Sequence, residues 1–200
     1  MKIITDFFLR GGPVMWPLLL CSLTSLTVTL ERFIFWSRER SRKSPLLIDR
    51  IIKLAAAGHI REALSLNAEN IDGAARLLLG ALENNHQDLT TSLELAAARE
   101  IEKASRGLGI LDTIITMSPL LGILGTVTGI IGSFDLLGAQ GIADPRAVTG
   151  GIAQALITTA SGLTVALFTL VPYNYFRHRV QKGAGYFSRA ATLLEAACKK

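Results

Sequence analysis

Charge is scarce in this sequence, and cysteine and histidine are scarcer still. Only 18% of the 200 residues are Asp, Glu, Lys or Arg, below the ~25% of an ordinary soluble domain. Two cysteines, Cys21 in an apolar run and Cys198 in a basic tail, argue against a disulfide scaffold or a multi-cysteine metal site. His59, His86 and His178 lie outside the apolar runs and make no metal triad. There is no phosphate loop, dinucleotide fingerprint, HExxH pair or nucleophile elbow. Enzyme chemistry, a metal and a cofactor are therefore not expected.

Apolar residues are abundant instead. They make up 50% of the chain, and the mean hydropathy is +0.39. Residues 147–176 contain no Asp, Glu, Lys, Arg or His, and neither do residues 113–134. Runs of about 18 or more such residues mark membrane spans. A third apolar stretch, 13–36, is interrupted only by Glu31 and Arg32 and has Trp16 and Trp36 near its two ends, as an aromatic belt requires. It ends in Arg38, Glu39 and Arg40 without a small-x-small cleavage site, so a retained span is expected rather than a cleaved signal. The fold class expected is all-α: an integral membrane protein with three transmembrane helices, long helices that extend into the cytoplasm, and a helical cytoplasmic domain.

The net charge of +5 does not form a nucleic-acid stripe. Five basic residues and one acid lie between Arg32 and Lys43, and six and one between Arg177 and Lys200. Basic clusters beside spans mark the cytoplasmic side. The expected organisation is an interfacial segment 1–12, a first span 13–36, a cytoplasmic helical domain 37–107, a second span 108–137, an outer loop 138–146, a third span 147–176 and a cytoplasmic C-terminal helix 177–200. The N-terminus then lies outside and the C-terminus inside. Within 44–106, Pro45 opens a helix, Gly58 interrupts, and helical blocks rich in Ala, Leu, Glu and Arg follow. The expectation there is a solvated helical hairpin or bundle.

A few small and polar residues within the spans stand out by their spacing. Gly122, Gly125, Gly129 and Gly132 share one face of the second span, where small residues let another helix approach closely. Thr126 stands beside Gly125. In the third span Gln154, Thr158 and Ser161 recur at helical spacing, with Thr159 between them. A buried amide is costly unless paired, so the group fits a polar lining and interhelix hydrogen bonding equally. No carboxylate occurs mid-span: Asp112 and Asp135 stand toward the ends of the second, and Glu31 and Arg32 form a polar pair at the cytoplasmic end of the first. If ions cross here, the titrating carboxylate belongs to another polypeptide.

The runs SPLLGILGTVTGIIGSF at 118–134 and GGIAQALITTASGLTVALFTLVPYNYF at 150–176 resemble the paired core of the ExbB/TolQ/MotA proton-channel family, and ERFIFW at 31–36 resembles the start of its cytoplasmic region. The three-span plan is most similar to the ExbB/TolQ branch. The resemblance implies a bacterial inner-membrane homo-oligomer, expected as a pentamer. Its second and third spans would line a pore around single spans of an ExbD/TolR-like partner that carries the titrating aspartate. It implies a stator and proton-channel subunit that acts on a TonB-like protein for outer-membrane transport, or on a TolA-like protein for envelope maintenance. By motif position Thr126 and Thr159 match the family's pore-facing threonines, with Gln154 and Thr158 beside them; Gln154 stands where familiar members carry glutamate. A purely structural membrane scaffold without ion flow is the alternative of a different class.

Overall fold

The computed structural model describes residues 8, 10–41, 44–66, 71–84, 88–140 and 145–198. Most of the expected interfacial segment 1–12, and residues 141–144 of the expected outer loop, lie outside them. Every regular element among the described residues is helical: α1 (Met15–Ser41), α2 (Pro45–Ala56), α3 (Ile60–Ser65), α4 (Gly73–Glu83), α5 (Leu89–Ser105), α6 (Leu108–Gln140) and α7 (Pro145–Cys198). The chain divides into two compact units, Met1–Leu30 with Gly107–Asn174, and Glu31–Arg106 with Tyr175–Lys200.

The first unit contains the apolar parts of α1, α6 and α7. Among the described residues, helices α1, α6 and α7 are long and apolar enough to cross a membrane, and only 17% to 28% of their most apolar windows is buried inside the chain. Leu120, Leu156, Leu167 and Phe168 are each more than 60% exposed. So large an apolar surface has to meet lipid or protein. Pro119 lies inside α6 and Pro172 inside α7, and neither ends its helix. Each removes one backbone hydrogen bond, a defect that neighbouring helices and local adjustment absorb in spans.

The second unit is assembled as an aqueous domain is. Helix α4 is buried over most of its surface, through Ala74, Ala75, Leu77, Leu78, Leu79, Ala81 and Leu82. Around it close Ile48 and Ile51 of α2, Ala63 of α3, Leu93 of α5, and Phe187, Ala190 and Leu194 of α7. Each fully buried large apolar side chain contributes roughly 1.5–3 kcal/mol. Caps fix the ends. Asp72 accepts from the Ala75 amide at 2.8 Å and starts α4. Gly58, at φ +77°, stops α2, because its own N–H reaches the Ala55 carbonyl while that of His59 reaches Leu54. Only glycine adopts that conformation cheaply.

Charged groups thread the same unit. Arg76 on α4 bonds Glu100 of α5 at 3.0 Å and Glu39 of α1 at 3.3 Å. Glu100 also accepts from Lys103 at 2.7 Å, and Glu39 from the Gly73 amide at 2.6 Å. Burial alone would lower the Arg76 pKa, but the two carboxylates hold it above its ordinary value.

Candidate functional site

The α6–α7 pair of the first unit holds Thr126, Gln154, Thr158 and Thr159, and its geometry starts from glycine. A Cβ on Gly122 would lie 3.1 Å from the Thr159 Cα, and one on Gly129 3.0 Å from the Gly151 carbonyl oxygen. One on Gly125 would lie 2.5 Å from the Thr158 hydroxyl oxygen. These three glycines seat α7 against α6 within one chain. Gly132, the fourth of the series, meets nothing within 4 Å.

Helix α7 supplies a matching stripe. Gly151, Ala155, Thr158, Gly162, Ala166 and Thr169 follow one another at steps of three or four, and so share a face. Ala155, Thr158, Ala166 and Thr169 are all buried. A Cβ on Gly162 would stand 2.4 Å from the Ser118 carbonyl oxygen, and one on Gly151 2.8 Å from that of Gly129. Backbone therefore faces backbone along the pair, as close packing in membranes requires.

The hydroxyls divide into two kinds. Thr158 is fully buried, and its hydroxyl donates to its own helix, to Gln154 O at 3.0 Å and Ala155 O at 2.9 Å. Such back-bonding satisfies the hydroxyl without a partner helix. Thr159 instead donates across the interface, to the Gly122 carbonyl at 3.0 Å. Thr126 lies one helical turn beyond Gly122, on the same side of α6, and donates to Ile123 O at 2.6 Å. Thr126 and Thr159 are both partly open. Thr159 thus meets α6 at Gly122, about one turn from Thr126, while Thr158 sits inside the helix contact. Gln154 is half-buried. Its side chain rests against Gly12, at φ +72°, where an added Cβ would lie 2.0 Å from Nε2.

A further polar contact carries no sequence periodicity. The hydroxyls of Ser25 on α1 and Thr169 on α7 meet at 2.7 Å, both buried. Their sequence separation of 144 residues hides the pairing from any local pattern. The Glu31–Arg32 pair belongs to the second unit. Arg32 is 3% exposed, bonds the neighbouring Glu31 carboxylate, and donates to the Lys103 carbonyl at 3.1 Å. Its guanidinium also lies 4.7 Å from the Phe35 ring centroid. That arrangement ties the end of α5 to α1.

The arrangement of α6 and α7 has a definite chemical limit. A hydroxyl both donates and accepts, but it does not hold or release a proton at physiological pH. Thr126 and Thr159 can therefore orient a proton carrier and cannot be one. No carboxylate, histidine or lysine lies between Thr113 and Phe134 or between Ala147 and Phe176, and no group of three or more potential metal ligands occurs among the described residues.

Comparison with known proteins agrees with this architecture. Residues 56–188 match the MotA/TolQ/ExbB proton channel family. The chain is 35% identical to the biopolymer transport protein ExbB-like 1 of Synechocystis sp. over 199 residues, which is 96% of this chain and 78% of that one. It is 37% identical to ExbB-like 3 of the same organism over 177 residues, 84% of this chain and 82% of the other. It is 36% identical to the Tol-Pal system protein TolQ of Pseudomonas aeruginosa over 110 residues, covering 55% of this chain and 48% of TolQ. The chain belongs to the MotA/TolQ/ExbB proton channel family, on its ExbB/TolQ side.

Proposed function

We propose that this chain is the multi-span subunit of an inner-membrane stator that converts the proton-motive force into mechanical work. It assembles with copies of itself, as a pentamer, around single spans of an ExbD/TolR-like partner. The N-terminus and the 138–146 loop face the periplasm; the segment 37–107 and the C-terminus face the cytoplasm, where the basic clusters lie. The downstream protein is TonB-like, acting in outer-membrane transport; the TolQ similarity keeps a TolA-like protein and envelope maintenance as the second reading.

The observation that carries this reading is the Thr159 hydroxyl on the Gly122 carbonyl, one helical turn from Thr126, in spans whose central parts, 113–134 and 147–176, carry no carboxylate. A partner's aspartate is then the proton carrier, and the two hydroxyls serve its protonated and ionised forms in turn. Gln154 occupies the family's glutamate position and keeps polarity there without titrating. Thr158, packed on Gly125, holds the helices in register.

The test is proton flux into liposomes that contain this chain together with its single-span partner, read by an internal pH dye. Thr126→Val with Thr159→Val keeps side-chain branching and removes both hydroxyls. The expected result is a flux at least tenfold lower at unchanged complex yield. Full flux in the double variant overturns the hydroxyl role. Absence of flux in the wild-type complex under a potential favours a scaffold without ion flow.

A further inference from the structure

The second unit contains a cavity that the proton pathway does not use. It encloses about 360 Å³, within the ~300–1,000 Å³ of small-molecule sites. Its acidic lining is already engaged: Glu39 and Glu100 hold Arg76, and Asp72 accepts from Ala75 and from the Tyr186 hydroxyl. Its basic lining is not. Among the described residues, no ion pair engages Arg40, Arg179 or Lys182.

Two lining residues also carry unanswered donors. The Trp36 Nε1 and the Arg179 Nε are both buried without a hydrogen-bond partner. The Arg179 guanidinium lies 5.5 Å from the Trp36 ring centroid and 5.6 Å from that of Tyr175, so the two orphan donors belong to one stack. A buried N–H without an acceptor is costly, and charge-assisted bonds to an anion are the strong remedy. Three unpaired cations beside two such donors call for an acceptor with several oxygens and a full negative charge. Phosphate meets that description and suits arginine in particular.

The place in the chain indicates the source. Trp36 ends the apolar run 13–36, and Arg179 follows the run 147–176 by three residues. Tryptophan and basic residues at span ends sit at headgroup level, where anionic lipid is concentrated. We propose that this cavity is a phosphate-binding site, with Arg179, Lys182, Arg40 and the Trp36 indole N–H as its donors, and that it takes the phosphodiester headgroup of a membrane phospholipid. The site is independent of the hydroxyl pathway and of the partner that completes it.

The experiment uses the full chain in detergent with Trp16→Phe, which leaves Trp36 as the sole tryptophan. Its emission is followed during titration with dioctanoyl phosphatidylglycerol, with dioctanoylglycerol, which lacks the phosphate, and with inorganic phosphate. Native mass spectrometry counts the bound lipid. The expected result is saturation by phosphatidylglycerol at one molecule per chain, no response to dioctanoylglycerol, and at least tenfold weaker binding in Arg179→Gln and in Lys182→Gln. Saturation by inorganic phosphate in preference to the lipid, with the same sensitivity to both variants, supports the anion site and assigns it a soluble ligand. Equal responses to the two lipids, or unchanged binding in both variants, overturns the proposal and leaves Arg179 as a stacking anchor for Trp36. Lys182 is exposed, so its variant carries the test if Arg179→Gln fails to fold. Circular dichroism at matched concentration establishes that folding first.

Discussion

In the unit that contains the paired α6 and α7, helices meet where side chains are smallest. Gly122, Gly129, Gly151 and Gly162 bring backbone against backbone, while Leu120, Ile123, Leu124, Leu156 and Leu163 of the same stretches are exposed. In the unit built around α4 the pattern is inverted: Ile51, Leu77, Leu78 and Leu194 fill the centre at essentially zero exposure. Solvent accounts for the difference. In lipid, apolar side chains gain nothing by leaving the surface, so association rests on close packing and interhelix hydrogen bonds. In water, burying the same side chains is the main favourable term. Along the α6–α7 contact the chain therefore exposes leucine, and around α4 it buries leucine.

The sharpest way to break the membrane half of that contrast is to add volume at its closest approach. Gly162→Leu is expected to have the largest effect, at the upper end of the ~1–3 kcal/mol overpacking range or beyond it. Even the first added carbon would lie 2.4 Å from the Ser118 carbonyl, which is backbone and cannot turn aside. Gly132→Leu is the control, because nothing lies within 4 Å of its Cβ position. Thermal unfolding in detergent, followed by circular dichroism, should show a large fall in Tm for the first. The second should stay close to wild type. Equal behaviour of the two variants would show that α6 and α7 are not held by this contact.

Breaking the aqueous half requires charge rather than volume. Arg76→Ala leaves Glu39 and Glu100 facing each other's vicinity without their shared cation. Removing one member of a fully buried pair costs ~3–5 kcal/mol. The Arg76 side chain is 30% exposed, which reduces the expected loss to about 2 kcal/mol. Urea unfolding of the variant should show a lower midpoint, and Glu39→Gln combined with Glu100→Gln should recover part of it in the Arg76→Ala background. A double-acid variant that recovers nothing would mean Arg76 acts through packing alone.

These two sites also differ in how far the sequence reveals them. The α6 glycines recur at three and four residues, so their shared face follows from helix geometry before any coordinates. The α7 stripe of Gly151, Ala155 and Gly162 obeys the same rule, but Gln154, Thr158 and Ser161 overlay it with a competing polar period. The three-span plan and the helical second unit are legible because long charge-free runs and Gly58 are local signals. The Arg76 network is not legible. Its acids come from α1 and α5, 37 and 24 residues away, and no local period encodes a meeting of three helices. Thr126 and Thr159 look alike in sequence; only the fold shows that one hydroxyl returns to its own helix and the other crosses to Gly122.

The smallest expected effect distinguishes the two solvents by pH. Burial, aided by the neighbouring Asp72 carboxylate, pushes the Tyr186 phenol up to about 12 from 10.0. The folded chain therefore favours the neutral phenol more than the unfolded chain does. A raised pKa of this kind contributes stability that is fully present below pH 10 and is lost as pH rises toward 12. Allowing for partial exposure of the ring, the loss is about 1 kcal/mol. Tyr186→Phe removes the titrating group and the 3.2 Å bond to Asp72, so it should lower stability slightly at pH 8, by about 1 kcal/mol. It should also flatten the alkaline slope of the unfolding midpoint between pH 10 and 12. The membrane-type unit has Tyr173 near the end of its α7 portion and no tyrosine within its α6 and α1 portions, so the slope removed by the variant reports on the second unit. An alkaline slope identical in wild type and Tyr186→Phe would place the sensitivity in another group and separate Tyr186 from the cap that begins α4.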